Sequence, residues 1–181
     1  MVLIDANDKT AIGYSTTAPE IYYSFHLGAE WKGIGLDAMF QGTGNYSAVL
    51  NTKSMFWPLI NNTSLSTHYY ENRWTPENPS NIYPKATTNR AILASDRFIE
   101  DGSYLKLKTL SLSYSFPKIN MKHIQGLRLY VTGQNLLTWT KYRGYDPEVS
   151  YRGASTLEAG EDFGGYPQSR TFMFGVKLDI K

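Results

Sequence analysis

The chain has 181 residues, enough for one domain with a core. Its formal net charge of +2 is too small to argue for nucleic acid or an anionic surface as partner. It contains no cysteine, which excludes disulfides, thiolate metal sites and a cysteine nucleophile.

Mean hydropathy is −0.38, and no apolar run is long enough for a transmembrane helix. A membrane β-barrel has the same bulk numbers, because every second strand residue faces water. Aromatics make up 14% of the chain, with 14 tyrosines. Tyr and Trp suit an apolar–polar boundary. Met1, Val2, Leu3, Ile4 and Asp5 lack the basic and apolar regions of a signal peptide, so the expectation is a fragment of an exported protein.

Residues 1–20 read as loop, with Asp5, Asn7, Asp8, Gly13 and Pro19 as turn formers. Ile21, Tyr23, Phe25, Leu27, Ala29 and Trp31 then alternate with Tyr22, Ser24, His26, Gly28, Glu30 and Lys32. After Lys32 and Gly33 the period of two resumes, with Ile34, Leu36, Ala38 and Phe40 on one face and Gly35, Asp37, Met39 and Gln41 on the other. That pattern predicts a β-hairpin with a two-residue turn.

Residues 43–103 show no sustained period and hold Pro58, Pro76, Pro79 and Pro84. They predict one long loop, with a short helix near residues 46–56. Residues 105–116 read as strand with Leu110, Leu112, Tyr114 and Phe116 on one face. Leu105 and Leu107 are out of phase with these, which predicts a bulge near Thr109 or a strand end outside the membrane.

A short turn over residues 117–125 leads to Leu127, Leu129, Val131 and Gly133, alternating with Arg128, Tyr130, Thr132 and Gln134. Residues 138–169 predict a second long loop. Residues 171–181 alternate without a break: Phe172, Phe174, Val176, Leu178 and Ile180 share a face, opposite Thr171, Met173, Gly175, Lys177, Asp179 and Lys181. Eleven residues at about 3.4 Å each approach what a tilted strand needs to cross a bilayer.

Two regularities point to an all-β antiparallel transmembrane barrel segment of five strands. Connections alternate short and long, as in outer-membrane barrels with short periplasmic turns and long extracellular loops. None of the apolar-face positions carries a charge, whereas Glu30, Asp37, Arg128, Lys177 and Asp179 take the opposite phase. Charge segregation also fits a soluble β-sandwich that binds glycans, and on the residues alone the two readings stand about even.

Few residues suggest chemistry. His26, His68 and His123 lack metal-ligand spacing, and no phosphate loop or nucleophile elbow occurs. No enzyme, cofactor or metal is expected. Glu158, Glu161 and Asp162 read as a solvated acidic cluster. The ligand-contacting candidates are loop aromatics: Trp57, Tyr69, Tyr70, Trp74 and Tyr83 in the first long loop, and Tyr142, Tyr145, Tyr151 and Tyr166 in the second. Such rings stack on sugars, pack loops together, or meet a lid protein.

Several segments resemble the C-terminal end of SusC/RagA-type TonB-dependent outer-membrane transporters. They are Asp101, Gly102, Ser103, Tyr104, Leu105, Lys106, Leu107 and Lys108, running on to Pro117; the stretch 130–142, followed by Gly144, Tyr145, Asp146, Pro147 and Glu148; Tyr166, Pro167, Gln168, Ser169 and Arg170; and Arg73, Trp74, Thr75, Pro76, Glu77, Asn78 and Pro79. The matches run from about residue 3 to residue 180.

The resemblance implies a barrel of about 22 strands, of which this chain supplies the last five, residues 1–181 all belonging to the barrel and none to a plug. It implies glycan or peptide import across a bacterial outer membrane, a periplasmic C-terminus, extracellular long loops, and a lipid bilayer around the strands. Its implied partners are the remaining strands and plug, a SusD-like lipoprotein lid, and TonB through an absent N-terminal part. The last strand would then close the barrel against the first, and His26, Glu30, Asp37, Arg128 and Gln134 would face the lumen. Five strands cannot close such a barrel, so 21–31 and 171–181 are expected to be edges that pair with further strands.

Two departures from the family pattern stand out. The chain ends on Ile180 and Lys181 rather than an aromatic, and in the Asp5–Thr10 loop Lys9 replaces an acidic ligand with no glycine following, which argues against calcium.

Overall fold

The computed structural model describes residues 10–52, 59, 64–88, 96–117, 123–148 and 160–180. Five long strands form one antiparallel sheet: β1 (Ile21–Trp31), β2 (Ile34–Gly44), β5 (Tyr104–Phe116), β6 (Ile124–Thr140) and β8 (Thr171–Ile180), in the order β1-β2-β5-β6-β8. Three short strands, β3 (Ser47–Leu50), β4 (Ile99–Asp101) and β7 (Glu161–Asp162), make a second sheet in the order β4-β3-β7. Among the described residues of the first long connection there is one α-helix, α1 (Thr67–Asn72).

The hairpin β1–β2 turns on Lys32 and Gly33, at φ of +49° and +85°. Two positive φ values define the type I′ turn, whose twist matches that of the flanking strands. At Gly33 a Cβ would stand 2.6 Å from the Ser115 carbonyl oxygen, so the glycine is needed for space as well as for φ.

The expected bulge is present. Met39 pairs with Thr109 and Phe40 with Leu107, leaving Lys108 as the extra residue. The insertion flips the phase, which brings Leu105 and Leu107 onto the same face as Leu110 and Leu112.

Register sorts the sheet into two faces. Phe25, Phe40, Leu107 and Leu137 are successive partners on one, as are Ala29, Leu36, Leu112, Val131 and Phe174 on adjoining rows. This apolar face is open: Phe174 is 84% exposed, and Leu27, Trp31, Leu36, Leu112, Leu129, Phe172, Val176, Leu178 and Ile180 are exposed too. Among the described residues no second layer covers it, as one would cover the inner face of a sandwich. Its cohesion is lateral, through the Phe25–Phe40 stack at 4.6 Å and the Phe40–Trp139 contact at 6.4 Å.

Several expectations are corrected. Residues 47–50 are strand, not helix, because Ala48 and Leu50 pack with Tyr142 in the small core while the Ser47–Val49 backbone pairs with β4. The stretch 43–103 is therefore not one structureless loop. β6 runs on to Thr140, so the second long connection begins at 141. Asn135, at φ +53°, takes up an irregularity where Thr109 pairs with Gln134 and Leu107 with Leu137. That kink interrupts the visible alternation without ending the strand.

Long and short connections lie at opposite ends of the sheet: 32–33 and 117–123 at one, 45–103 and 141–170 at the other. β1 and β8 are its two edges.

Candidate functional site

The polar face of the large sheet is built in rows. Gly28, Asp37, Ser111, Thr132 and Met173 are cross-strand partners, and so are Glu30, Gly35, Ser113, Tyr130 and Gly175. Small residues floor a concavity of about 680 Å³ lined by Glu30, Asp37, Arg128 and Lys177. His26 Nε2 meets Asp37 at 2.6 Å, and Ser111 and Thr132 share a hydroxyl hydrogen bond of 2.7 Å. Arg128 Nη2 donates to Ser113 Oγ at 2.7 Å, reaching over Gly35, where a Cβ would stand 3.0 Å from that nitrogen. The phase of the sequence thus placed His26, Glu30, Asp37 and Arg128 on one surface, as expected.

Towards the long-connection end this face is covered. Residues 142–148 lie on it, held by a cluster of ions. Lys106, whose side chain is 2% exposed, donates to Asp146 Oδ1 at 2.5 Å and to Glu148 Oε2 at 2.7 Å. Lys108, the bulge residue, meets Glu148 at 2.7 Å, and Tyr104 Oη donates to Glu148 Oε1 at 3.2 Å. Asp146 also accepts from the backbone amides of Glu148 and Gln168, at 3.0 and 2.9 Å.

Each carboxylate therefore has several donors, the condition for a buried charge to be tolerated. Burial alone would raise the Asp146 carboxyl, but Lys106 and the two amides outweigh it and hold it below the usual range. Glu148 is likewise lowered, because Lys106 and Lys108 overcome its desolvation.

These four ions were not singled out in the sequence. The available signal was that Lys106 and Lys108 stand in one family-like segment, and Asp146 and Glu148 in another. Their pairing explains why the two segments belong together.

A second knot ties the connections to one another. β3 pairs antiparallel with β4 and parallel with β7. Val49 N donates to Gly160 O at 2.7 Å, Asn51 N to Asp162 O at 2.8 Å, and Gly160 N to Thr16 O at 2.9 Å. Asp162, read from sequence as solvated, is buried: it accepts from Tyr142 Oη and from the amides of Gly164 and Gly165. Glu158 lies outside the described residues. Burial, and then the bond to Asp162, push the Tyr142 hydroxyl well above the ordinary tyrosine range, and burial pushes Tyr46 up to about 12. Arg143 binds Glu100 through Nε, at 2.8 Å, and through Nη2.

The loop aromatics divide by burial. Tyr69 is 1% exposed; its ring stacks on Tyr83 at 4.5 Å and its hydroxyl donates to Pro84 O at 3.3 Å. Ser66 caps α1 by accepting from Tyr69 N at 3.1 Å. Tyr69 and Tyr83 are thus packing residues of the first connection. Tyr70 and Trp74 are exposed, with the Arg73 guanidinium 3.7 Å from the Tyr70 ring centroid. Tyr145 is 78% exposed and stands over a cleft of about 340 Å³ lined also by His68, Tyr83, Arg143 and Asp162. Tyr166 is fully exposed, while Trp57 and Tyr151 lie outside the described residues. Among the described residues no group of acids and histidines is arranged to hold a metal ion.

No family profile matches this sequence. The chain is 34% identical over 181 residues to TonB-dependent receptor P3 of Formosa agariphila, a match covering 97% of this chain and 18% of that protein. A stretch of 90 residues is 36% identical to TonB-dependent receptor SusC of Bacteroides thetaiotaomicron, covering 48% of this chain and 8% of that protein. Among solved structures, the RagAB peptide importer in its open-open state matches with a TM-score of 0.73 and 29% identity, over 97% of this chain and 19% of that one. Its closed-closed state matches with a TM-score of 0.75 and 28% identity, over the same shares of each chain. The chain thus spans about a fifth of the length of the proteins it resembles over nearly its whole extent.

Proposed function

Because this chain belongs to the SusC/RagA family of TonB-dependent receptors, we propose that it forms part of the wall and outer rim of a bacterial outer-membrane nutrient importer. The observation that carries this reading is the open apolar face, with Phe172, Phe174, Val176, Leu178 and Ile180 exposed along β8 and matching rows on four further strands. A water-exposed apolar surface of that extent is rare on a soluble monomer, whereas hydrocarbon tails cover it without cost.

In this reading the short turns are periplasmic and the long connections extracellular. The five strands are the C-terminal ones of a barrel of about 22. β8 pairs with the first strand of that barrel and β1 with the strand before it. The polar face borders the lumen and its plug, and TonB is engaged through a segment outside these residues. Exposed Tyr70, Trp74 and Tyr145 face the vestibule, where they meet either cargo or a SusD-like lipoprotein lid; Trp57 and Tyr151 are assigned the same role from sequence. Cargo is an oligosaccharide or a peptide. The chain contributes structure and recognition, not catalysis.

The test is residue-by-residue labelling of β8 in the intact receptor in lipid. Spin labels at positions 172, 174, 176 and 178 should be accessible to oxygen and shielded from a water-soluble nickel reagent. Labels at 173, 175 and 177 should show the reverse. Equal accessibility along the strand refutes the reading.

A further inference from the structure

The cover over the polar face has a consequence for the passage which that face borders. At the turn end of the sheet the face is bare, and its side chains look into the 680 Å³ concavity. At the other end the same face, in register with it, carries Tyr104 and Lys106, both buried under residues 142–148. We propose that residues 142–148 form a fixed strap across the inner wall, narrowing the lumen at its outer mouth, with Lys106 and Lys108 as the latch. This rests on the preceding reading that the polar face lines a lumen.

Four observations make this a fixed strap and not a loop at rest on a surface. Its two acids converge on cations of a single strand, and Glu148 bridges both lysines. Lys106 is nearly inaccessible, so its charge has no solvent to return to while the strap is down. The far side of the strap is fastened as well, through Asp146 to the Gln168 amide on the approach to β8. Its near end is fastened to the small sheet, by Tyr142 to Asp162 and by Arg143 to Glu100.

The bulge has a part in this geometry. An unbroken strand would send residues 106 and 108 to the same face with 110, which is apolar-facing here. The extra residue in β5 instead shifts Lys106 to the polar face, between Gln41 and Thr138, and leaves Lys108 beside it within reach of Glu148. Exposed Tyr145 sits at the crest of the strap, between the two latching acids and the small sheet. It is therefore the group that the strap presents to solute in the mouth.

The test uses the intact receptor in lipid, with spin labels at Tyr145→Cys on the strap and His26→Cys on the bare wall, neither of which is part of the latch. The latched receptor should give a single narrow distance distribution. Lys106→Met should broaden it at least twofold and shift it to longer distance. Because that change leaves two acids without their partner and could impair assembly, the near-isosteric Asp146→Asn/Glu148→Gln pair serves as the second variant. It should open the strap in the same direction. An unchanged narrow distribution in the double variant overturns the proposal. A label at Val176→Cys in the same preparations reports contact with lipid. Loss of that signal with a normal strap response would sink the membrane reading while leaving the latch, and the opposite pattern would sink the latch alone.

Discussion

Val176→Arg separates a lipid-facing strand from a wetted one by magnitude as well as by sign. β8 has 10 residues; at about 3.4 Å each it is roughly 34 Å long, and a tilt near 45° brings its height to about 24 Å, close to the apolar band of an outer-membrane barrel. Val176 lies just past the middle of that strand, exposed on the apolar face and paired with Leu129. An arginine near the bilayer midplane costs about 2–4 kcal/mol, a shift of roughly 30- to 700-fold in the folding equilibrium. In water the same change would be near neutral, because an exposed valine is replaced by a solvated charge. The assay is a urea titration of the receptor in lipid vesicles, scored by the fraction folded. Met173→Arg, on the polar face of the same strand, is the control and should cost little. A loss below about 0.5 kcal/mol for Val176→Arg, or an equal loss for both, would refute the assignment of faces.

Gly42→Ala should destabilise the sheet by about 1–3 kcal/mol, because the new Cβ would stand 2.4 Å from both the Tyr104 carbonyl oxygen and the Tyr23 ring that crosses the glycine. The urea midpoint would show it. Tyr142→Phe should loosen the small sheet by about 1.5–3 kcal/mol, the worth of a hydrogen bond to a charged group, read as faster hydrogen exchange at the Val49 and Asn51 amides. Acid should release residues 142–148. Folded Asp146 and Glu148 are held below their usual range, so their stabilisation is complete above the unfolded values of about 4 and is lost as pH falls through the lower folded ones. The amide resonances of Glu148 and Gln168 should hold steady from pH 7 to 5 and move below about pH 4.

What could be read from the sequence was whatever is periodic over many residues. β1 and β8 each alternate for ten or more positions, and β2 and β5 over shorter runs, and a period of two across such lengths leaves one assignment of faces. The turn at Lys32 and Gly33 and the phase slip before Thr109 were legible for the same reason, being local breaks in a long pattern. β3, β4 and β7 were not. They hold 4, 3 and 2 residues and exist only because distant segments pair, which no local window reports. Asn135 concealed the continuation of β6 in another way, since one left-handed residue beside Leu136 and Leu137 makes a continuing strand look finished. The ion cluster was invisible for a third reason. Opposite charges some 40 positions apart reveal their pairing only once the fold has turned the chain back on itself, so Asp146 and Glu148 look like ordinary loop acids until their donors are located.

The staple of β4, β3 and β7 also bears on how such a chain can diversify. It clamps the first long excursion at both of its ends, through β3 and β4, and the second through β7 ahead of β8, so the first has both ends anchored whatever its length. Doubling a flexible stretch between fixed ends adds only about 0.6 kcal/mol of closure entropy. An insertion away from these positions therefore adds little closure entropy, while one within the nine stapled positions, or at Asn51 or Gly160 whose backbones are bonded to them, would unfasten the assembly. Lineages can thus remodel what they display to their surroundings and leave the supporting masonry alone.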